Sequence, residues 1–168
     1  ITEAIHHSEL SLPLSPVMFN EQQFFEDLDY LVAAIQEEGV LEHVRFGLNN
    51  IGQASYFRKN QLACFFDIYF YLANNEAAKL ALSMGLNVKG GYLWMERHEL
   101  DDSTWPFTPA VVEETFKPPL FISRSCFRHD SLMMSCEHCP HRGSWYVKGD
   151  KERCKVLVED CITYLVRA

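Results

Sequence analysis

No apolar run in this chain approaches the roughly 18–20 residues that a membrane-spanning helix needs. An excess of positive charge is also missing. Fifteen Lys and Arg stand against 23 Asp and Glu, a formal net charge of -8. A broad nucleic-acid-binding face is therefore not expected. Low-complexity tracts and long polar repeats are absent. Two hydrolase signatures are lacking: the HExxH of zinc proteases and the GxSxG elbow of an activated serine. No basic-then-apolar leader opens the sequence, which begins at Ile1, as expected of a processed chain or an excised domain. Cysteine is nearly missing from the first 125 residues, where only Cys64 occurs. A secreted disulfide scaffold spreads its cysteines through a short, core-poor chain. Here 48% of the 168 residues are hydrophobic, enough for one sizeable core.

What is there reads first as alternating strands and helices. "ELSLPLSP" is a short strand and its exit. "NEQQFFEDLDYLVAAIQEEG" is a helix that Asn20 caps and Gly39 stops, with Phe24, Leu28, Leu31 and Ile35 on its core face. "VLEHVRFG" is a strand, "IGQASYFRKN" a short helix or turn, and "QLACFFDIYFYLA" begins as a strand buried on both faces. "NNEAAKLALSMG" predicts a helix ended by Gly85, "LNVKGGYLWM" a strand, "TPAVVEETFKP" a short helix and "PLFIS" a further strand. Alternation with short links predicts a parallel sheet of about five strands. A closed eight-stranded barrel takes about 250 residues. The expectation is a partial TIM-barrel-like α/β domain over residues 1–120. Packed on it, residues 121–168 would form a cysteine-bearing segment containing a β-hairpin about "KGDKER".

The cysteines cluster in that second segment. Cys126, Cys136, Cys139, Cys154 and Cys161 follow the pattern C-x9-C-x2-C-x14-C-x6-C. Two residues between Cys136 and Cys139 let both sulfurs face one metal from a tight turn. Cys126 follows a predicted strand end, and Cys161 follows the hairpin. Cys154 alternates with Val156 and Val158 inside "RCKVLVE", a packing position. The chosen ligand set is thus Cys126, Cys136, Cys139 and Cys161. Four thiolates suit either zinc or an iron–sulfur cluster, and their number does not decide between them. His138 and His141 lie close enough in sequence to ligate or to hydrogen-bond a sulfur. His129, three residues after Cys126, could pair with a thiol as a catalytic base, although no orienting acid is identifiable. Arg124 and Arg128, with His129, His141 and Arg142, form a local basic patch that could hold an anion. His6, His7, His43 and His98 carry no comparable signal.

Three stretches together resemble peptidase family U32, the collagenase-like protease family: "VRFGLNNIGQ", "ACFFDIYFYLANNEAAKLALSMG" and "PLFISRSCFRHD…CEHCP…DC". The resemblance runs from about Val44 to Leu165. It implies the C-terminal half of a TIM-barrel-like fold followed by a cysteine-bearing segment. Relatives in that family carry a [4Fe-4S] cluster on four cysteines and act in oxygen-independent hydroxylation. By resemblance the four correspond to Cys126, Cys136, Cys139 and Cys161. Glu96 in "LWMERHEL" is similar to an acidic position that the family places after a strand.

The functional expectation is a cluster-bearing domain that supports oxygen-independent modification chemistry. Two alternatives stand beside it: a U32-type peptide hydrolase, and a structural interaction domain closed by zinc. The candidate catalytic residues are Glu96, Asp67 and His129. Asp67 follows "CFF" near a strand terminus, where βα enzymes place reacting groups. Arg124 and Arg128 are candidates for binding a peptide, a small anionic molecule or, by family analogy, RNA. An isolated half barrel exposes sheet edges. A missing N-terminal barrel half, a partner subunit or a homodimer is therefore expected, in a reducing cytoplasmic setting and with no membrane.

Overall fold

The computed structural model describes residues 8–94, 104–112, 116, 118–148 and 153–168. The chain divides into two compact units, Ile1–Glu113 and Glu114–Ala168. The first is an alternating β/α sheet. Its strands β1 (Leu10–Pro13), β2 (Val44–Leu48), β3 (Ala63–Phe66) and β4 (Asn87–Gly91) pair in that order, all parallel. Helices α1 (Glu21–Glu37), α2 (Ala54–Asn60) and α3 (Asn75–Leu82) make the crossovers.

Local chemistry sets the ends of these helices. The Asn20 side chain accepts from the Gln23 N–H at 3.2 Å, and the Asn74 side chain accepts from Ala77 N–H at 2.9 Å, so each caps an orphan donor. Past α1, Gly39 takes φ 69°, and Val40 N–H reaches back to the Ile35 carbonyl at 3.3 Å. That is a Schellman ending, with Val40 buried behind it. The helix lays Leu28 on a core of Val44, Phe46, Leu48, Phe57, Leu62 and Cys64, flanked by Phe24, Phe25, Val32 and Ile35. Burying one such phenylalanine contributes about 2–3 kcal/mol. Leu31 is 41% exposed, contrary to expectation. The contact stripe is rotated toward Phe25 and Val32, leaving Leu31 at its outer edge.

Two further expectations are corrected. "VLEHVRFG" is not strand throughout, because Leu41–His43 form a 3-10 turn before β2 begins. In "TPAVVEETFKP", residues 108–112 are not helical, with Ala110 in an isolated bridge, and residues 113–115 and 117 lie outside the described residues. Ala110 N–H donates to Gly91 O at 2.8 Å, and Leu93 N–H to Ala110 O at 2.7 Å, making a parallel bridge beside β4. The open edge of β4 offers main-chain partners that outweigh a weak helix preference.

The second unit is an antiparallel sheet that carries the cysteines. Its strands β5 (Phe121–Ser123), β6 (Arg142–Lys148), β7 (Arg153–Glu159) and β8 (Ile162–Arg167) lie in the order β5-β8-β7-β6. The hairpin about "KGDKER" is therefore one part of a four-stranded sheet. "PLFIS" does not supply a fifth parallel strand, because β5 pairs antiparallel with β8, Ile122 opposite Tyr164. Val156 and Val158 are buried on one face of β7, and Cys154 lies in the same strand. No helix among the described residues is long and apolar enough to cross a membrane.

Candidate metal or thiol centre

Three separate devices bring cysteines to one place in the second unit. The first holds Cys126. Where the β5–β8 ladder ends at Ser123 opposite Thr163, the Thr163 hydroxyl continues it. It donates to Ser125 O at 2.6 Å and accepts from Phe127 N–H at 3.0 Å, one bond on each side of Cys126. Cys126 then caps a π-helical turn, Phe127–Ser131, with Asp130 N–H on its carbonyl at 2.8 Å. The second device is the C-x2-C turn. Cys139 N–H closes on Cys136 O at 3.1 Å, and the Ser135 hydroxyl accepts from Glu137 N–H at 3.0 Å. The third is the β7–β8 hairpin. Its two-residue loop is Asp160–Cys161, with φ 47° and 64°. Left-handed pairs of this kind favour Asn-Gly, and a cysteine there is strained. Met133, His138 and His141 also take positive φ, so left-handed backbone concentrates around the thiols.

Cys126, Cys136, Cys139 and Cys161 line one cavity of about 310 Å³. Arg124, Arg128, His129 and His141 line it with them. The Cys139 sulfur accepts from Arg128 Nη1 at 3.1 Å and from His141 N–H at 3.4 Å. The other end of His141 reaches Cys161, with Nδ1 3.5 Å from its sulfur. Loss of hydration raises the pKa of the Cys161 thiol above its ordinary value, and charge on Cys126, Cys139 and Cys136 adds to the effect.

His129 has an acidic partner in the adjacent Asp130, which the sequence reading passed over. Its Nδ1 lies 2.7 Å from Asp130 Oδ1, and the Ser125 hydroxyl donates to Asp130 Oδ2 at 2.6 Å. The bond from His129, followed by that from Ser125, holds the Asp130 carboxyl below the usual carboxylate range. The adjacent Asp130 was the available clue. Thr163 had a weaker one, its place two residues after Cys161.

Asp67 belongs to the other unit. It is buried, and its carboxylate accepts from Asn49 Nδ2 at 2.8 Å and from Ile68 N–H at 2.9 Å. Asn49 also donates to Leu14 O at 2.7 Å and accepts from Tyr69 N–H at 3.0 Å. The fully buried Gln53 donates to Ser15 O and accepts from Asn49 N–H. These bonds tie together the C-terminal ends of β1, β2 and β3. Glu96 and His98 lie outside the described residues.

The residues can be weighed against the two metal groups. No group of three or more His, Cys, Asp or Glu side chains among the described residues is placed to hold a metal ion. Tetrahedral zinc would draw four sulfurs to about 2.3 Å from a single point. Here the four cysteines line a cavity. A four-iron cluster attaches each thiolate to a different iron and so takes donors spread around a space. Arg128 adds a second observation: its Nε is buried and has no hydrogen-bond partner among the described residues. A group bearing sulfide would bring acceptors to that wall.

Comparison with protein-family models, with curated proteins and with solved structures returns no match for this chain.

Proposed function

We propose that this chain is a U32-peptidase-like protein that holds a [4Fe-4S] cluster on Cys126, Cys136, Cys139 and Cys161 and supports oxygen-independent modification chemistry. The observation that carries the reading is the shared cavity. Three unrelated segments deliver four thiols to it, and Arg128 and His141 direct donors at the Cys139 sulfur. Such a cluster, when bound, supplies one-electron chemistry. The protein's own part is to hold the thiols, offset their charge and present Arg124 and Arg128 to an anionic substrate. In this reading the βα unit is part of a TIM-barrel-like fold. Among the described residues β1 pairs only with β2. Its outer edge would be covered by an upstream barrel half, a partner subunit or a second copy. The thiols require a reducing compartment, in keeping with the cytoplasm.

One observation favours a second reading, a thiol-dependent peptide hydrolase. The His129–Asp130 pair lines the same cavity as four thiols, and an acid-oriented imidazole beside a thiol is the arrangement of a cysteine nucleophile.

The deciding experiment is iron, acid-labile sulfide and zinc analysis after anaerobic purification, with a Ser variant at each of the four cysteines. The expected result is about four irons and four sulfides per chain, lost in each variant. One zinc without sulfide would shift the assignment to a structural zinc domain. Neither metal, even after anaerobic reconstitution, would overturn the metal reading and leave the thiol hydrolase.

A further inference from the structure

We infer that Thr163 is a positioning residue for the cluster ligands, coupling Cys126 to Cys161 through its side-chain hydroxyl. The inference rests on the reading of those two cysteines as ligands.

The argument begins with what a sheet can and cannot do. Main-chain pairing fixes β5 against β8 only as far as Ser123 opposite Thr163. Cys126 lies three residues beyond that point, on backbone that must turn away from the sheet. Left to itself, this stretch would have two main-chain groups, Ser125 C=O and Phe127 N–H, with no ladder partner. A hydroxyl can donate once and accept twice. The Thr163 hydroxyl uses both functions here, donating to Ser125 O and accepting from Phe127 N–H. The two bonds straddle Cys126 and fix the peptide planes on both sides of it. Thr163 is 7% exposed, so water is poorly placed to substitute for the hydroxyl.

The same residue stands two positions after Cys161. That cysteine occupies the strained two-residue loop that opens β8, so the start of the strand sets its position. The first residues of β8 thus follow directly on one thiol and hold the loop of another. Serine could supply the same hydrogen bonds, whereas valine, of nearly the same shape, could supply neither. Phe127 also touches Trp145 on β6, with ring centroids 5.6 Å apart, which secures the loop from a second side.

The test uses the full chain, reduced and metal-free, with Thr163→Val and Thr163→Ser. Iodoacetamide labelling, read per peptide by mass spectrometry, reports the exposure of each thiol. In Thr163→Val, labelling of Cys126 should rise roughly tenfold, the opening penalty that one to two hydrogen bonds impose. Cys154, held in the β6–β7–β8 ladder, should keep its rate, and Thr163→Ser should restore the wild-type rate at Cys126. An unchanged or slower Cys126, or an equal rise at Cys154, would overturn the inference. Should Thr163→Val fail to fold, amide exchange in the wild-type chain decides instead. Phe127 N–H should exchange at least roughly tenfold more slowly than an unbonded amide, and an unprotected Phe127 would overturn the inference. These readouts need no metal, so they separate failure of the clasp from failure of the cluster. In anaerobically loaded protein, Thr163→Val should also release iron to a chelator faster than wild type. If wild type binds iron but the two release it equally fast, Thr163 is not a positioning residue for a ligand.

Discussion

Replacing Asp67 by alanine separates a structural carboxylate from a catalytic one. The Asp67 side chain accepts one hydrogen bond from Asn49 and one from Ile68 N–H, at the exit of β3. Alanine deletes both acceptors. Asn49 Nδ2 keeps Leu14 O, but Ile68 N–H loses its partner. The unpaired Ile68 N–H costs about 1–3 kcal/mol and the lost Asn49 bond about 0.5–1.5 kcal/mol, giving about 1.5–4.5 kcal/mol in all. For a unit of this size, about 4 °C of Tm accompanies each kcal/mol, so the melting point should fall by about 6–18 °C. Gly47 supports the structural view. A Cβ there would lie 2.9 Å from Asp67 Oδ2, so the neighbouring strand is bare where the carboxylate sits. Asp67→Asn should cost roughly half as much, since an amide keeps one acceptor and presents a donor to a donor. Thermal unfolding followed by far-UV circular dichroism, with amide exchange at Ile68, checks both variants. A catalytic carboxylate held apart from the fold would behave differently, leaving Tm within about 2 °C of wild type. That result would refute the assignment of Asp67 to the network and return it to the candidate catalytic groups.

Two further perturbations probe the two units separately. Burial pushes the Cys64 thiol up to about 12, opposed by the nearby Lys89 charge, so the folded state keeps a proton that the unfolded state loses above its ordinary pKa of 9.0. Stability should therefore fall as pH rises from 9 toward 12, by about 1.4 kcal/mol per unit from this group. Urea unfolding at pH 8, 9 and 10 should give a steeper decline in wild type than in Cys64→Ala, and equal slopes would contradict the buried thiol. Gly143→Ala places a Cβ against the Trp145 ring, with the atoms Cζ3 and Cζ2 at 2.9 and 3.0 Å. The ring must swing away from its contact with Phe127, at about 1–3 kcal/mol of overpacking. A shift in tryptophan fluorescence with weaker iron retention is expected, and unchanged fluorescence would argue against the packing of that loop.

How far each feature was legible depended on the range of the interaction that creates it. Asn20, Asn74 and Gly39 act within a turn of their own positions, so the helix boundaries follow from neighbouring residues alone. The parallel sheet was legible because βα alternation leaves few ways to connect its strands. The second unit obeys no such local rule. β5 is three residues long and finds β8 some forty residues downstream, and nothing within "FIS" distinguishes that partner from the edge of β4. The cysteines announced themselves by residue type and by C-x2-C spacing, which a tight turn enforces. Their common cavity depends instead on Thr163, on an Asp-Cys hairpin loop and on a main-chain donor from His141. Hydroxyls and main-chain groups carry no sequence signature when their partners are distant. Cys161 makes the point in reverse. A two-residue hairpin with positive φ at both positions favours glycine, and the preference is local enough to read. The cysteine stands there against that preference, in a strained conformation whose thiol lines the cavity. Local preference does not account for the residue, and the proposed ligand or thiol role would.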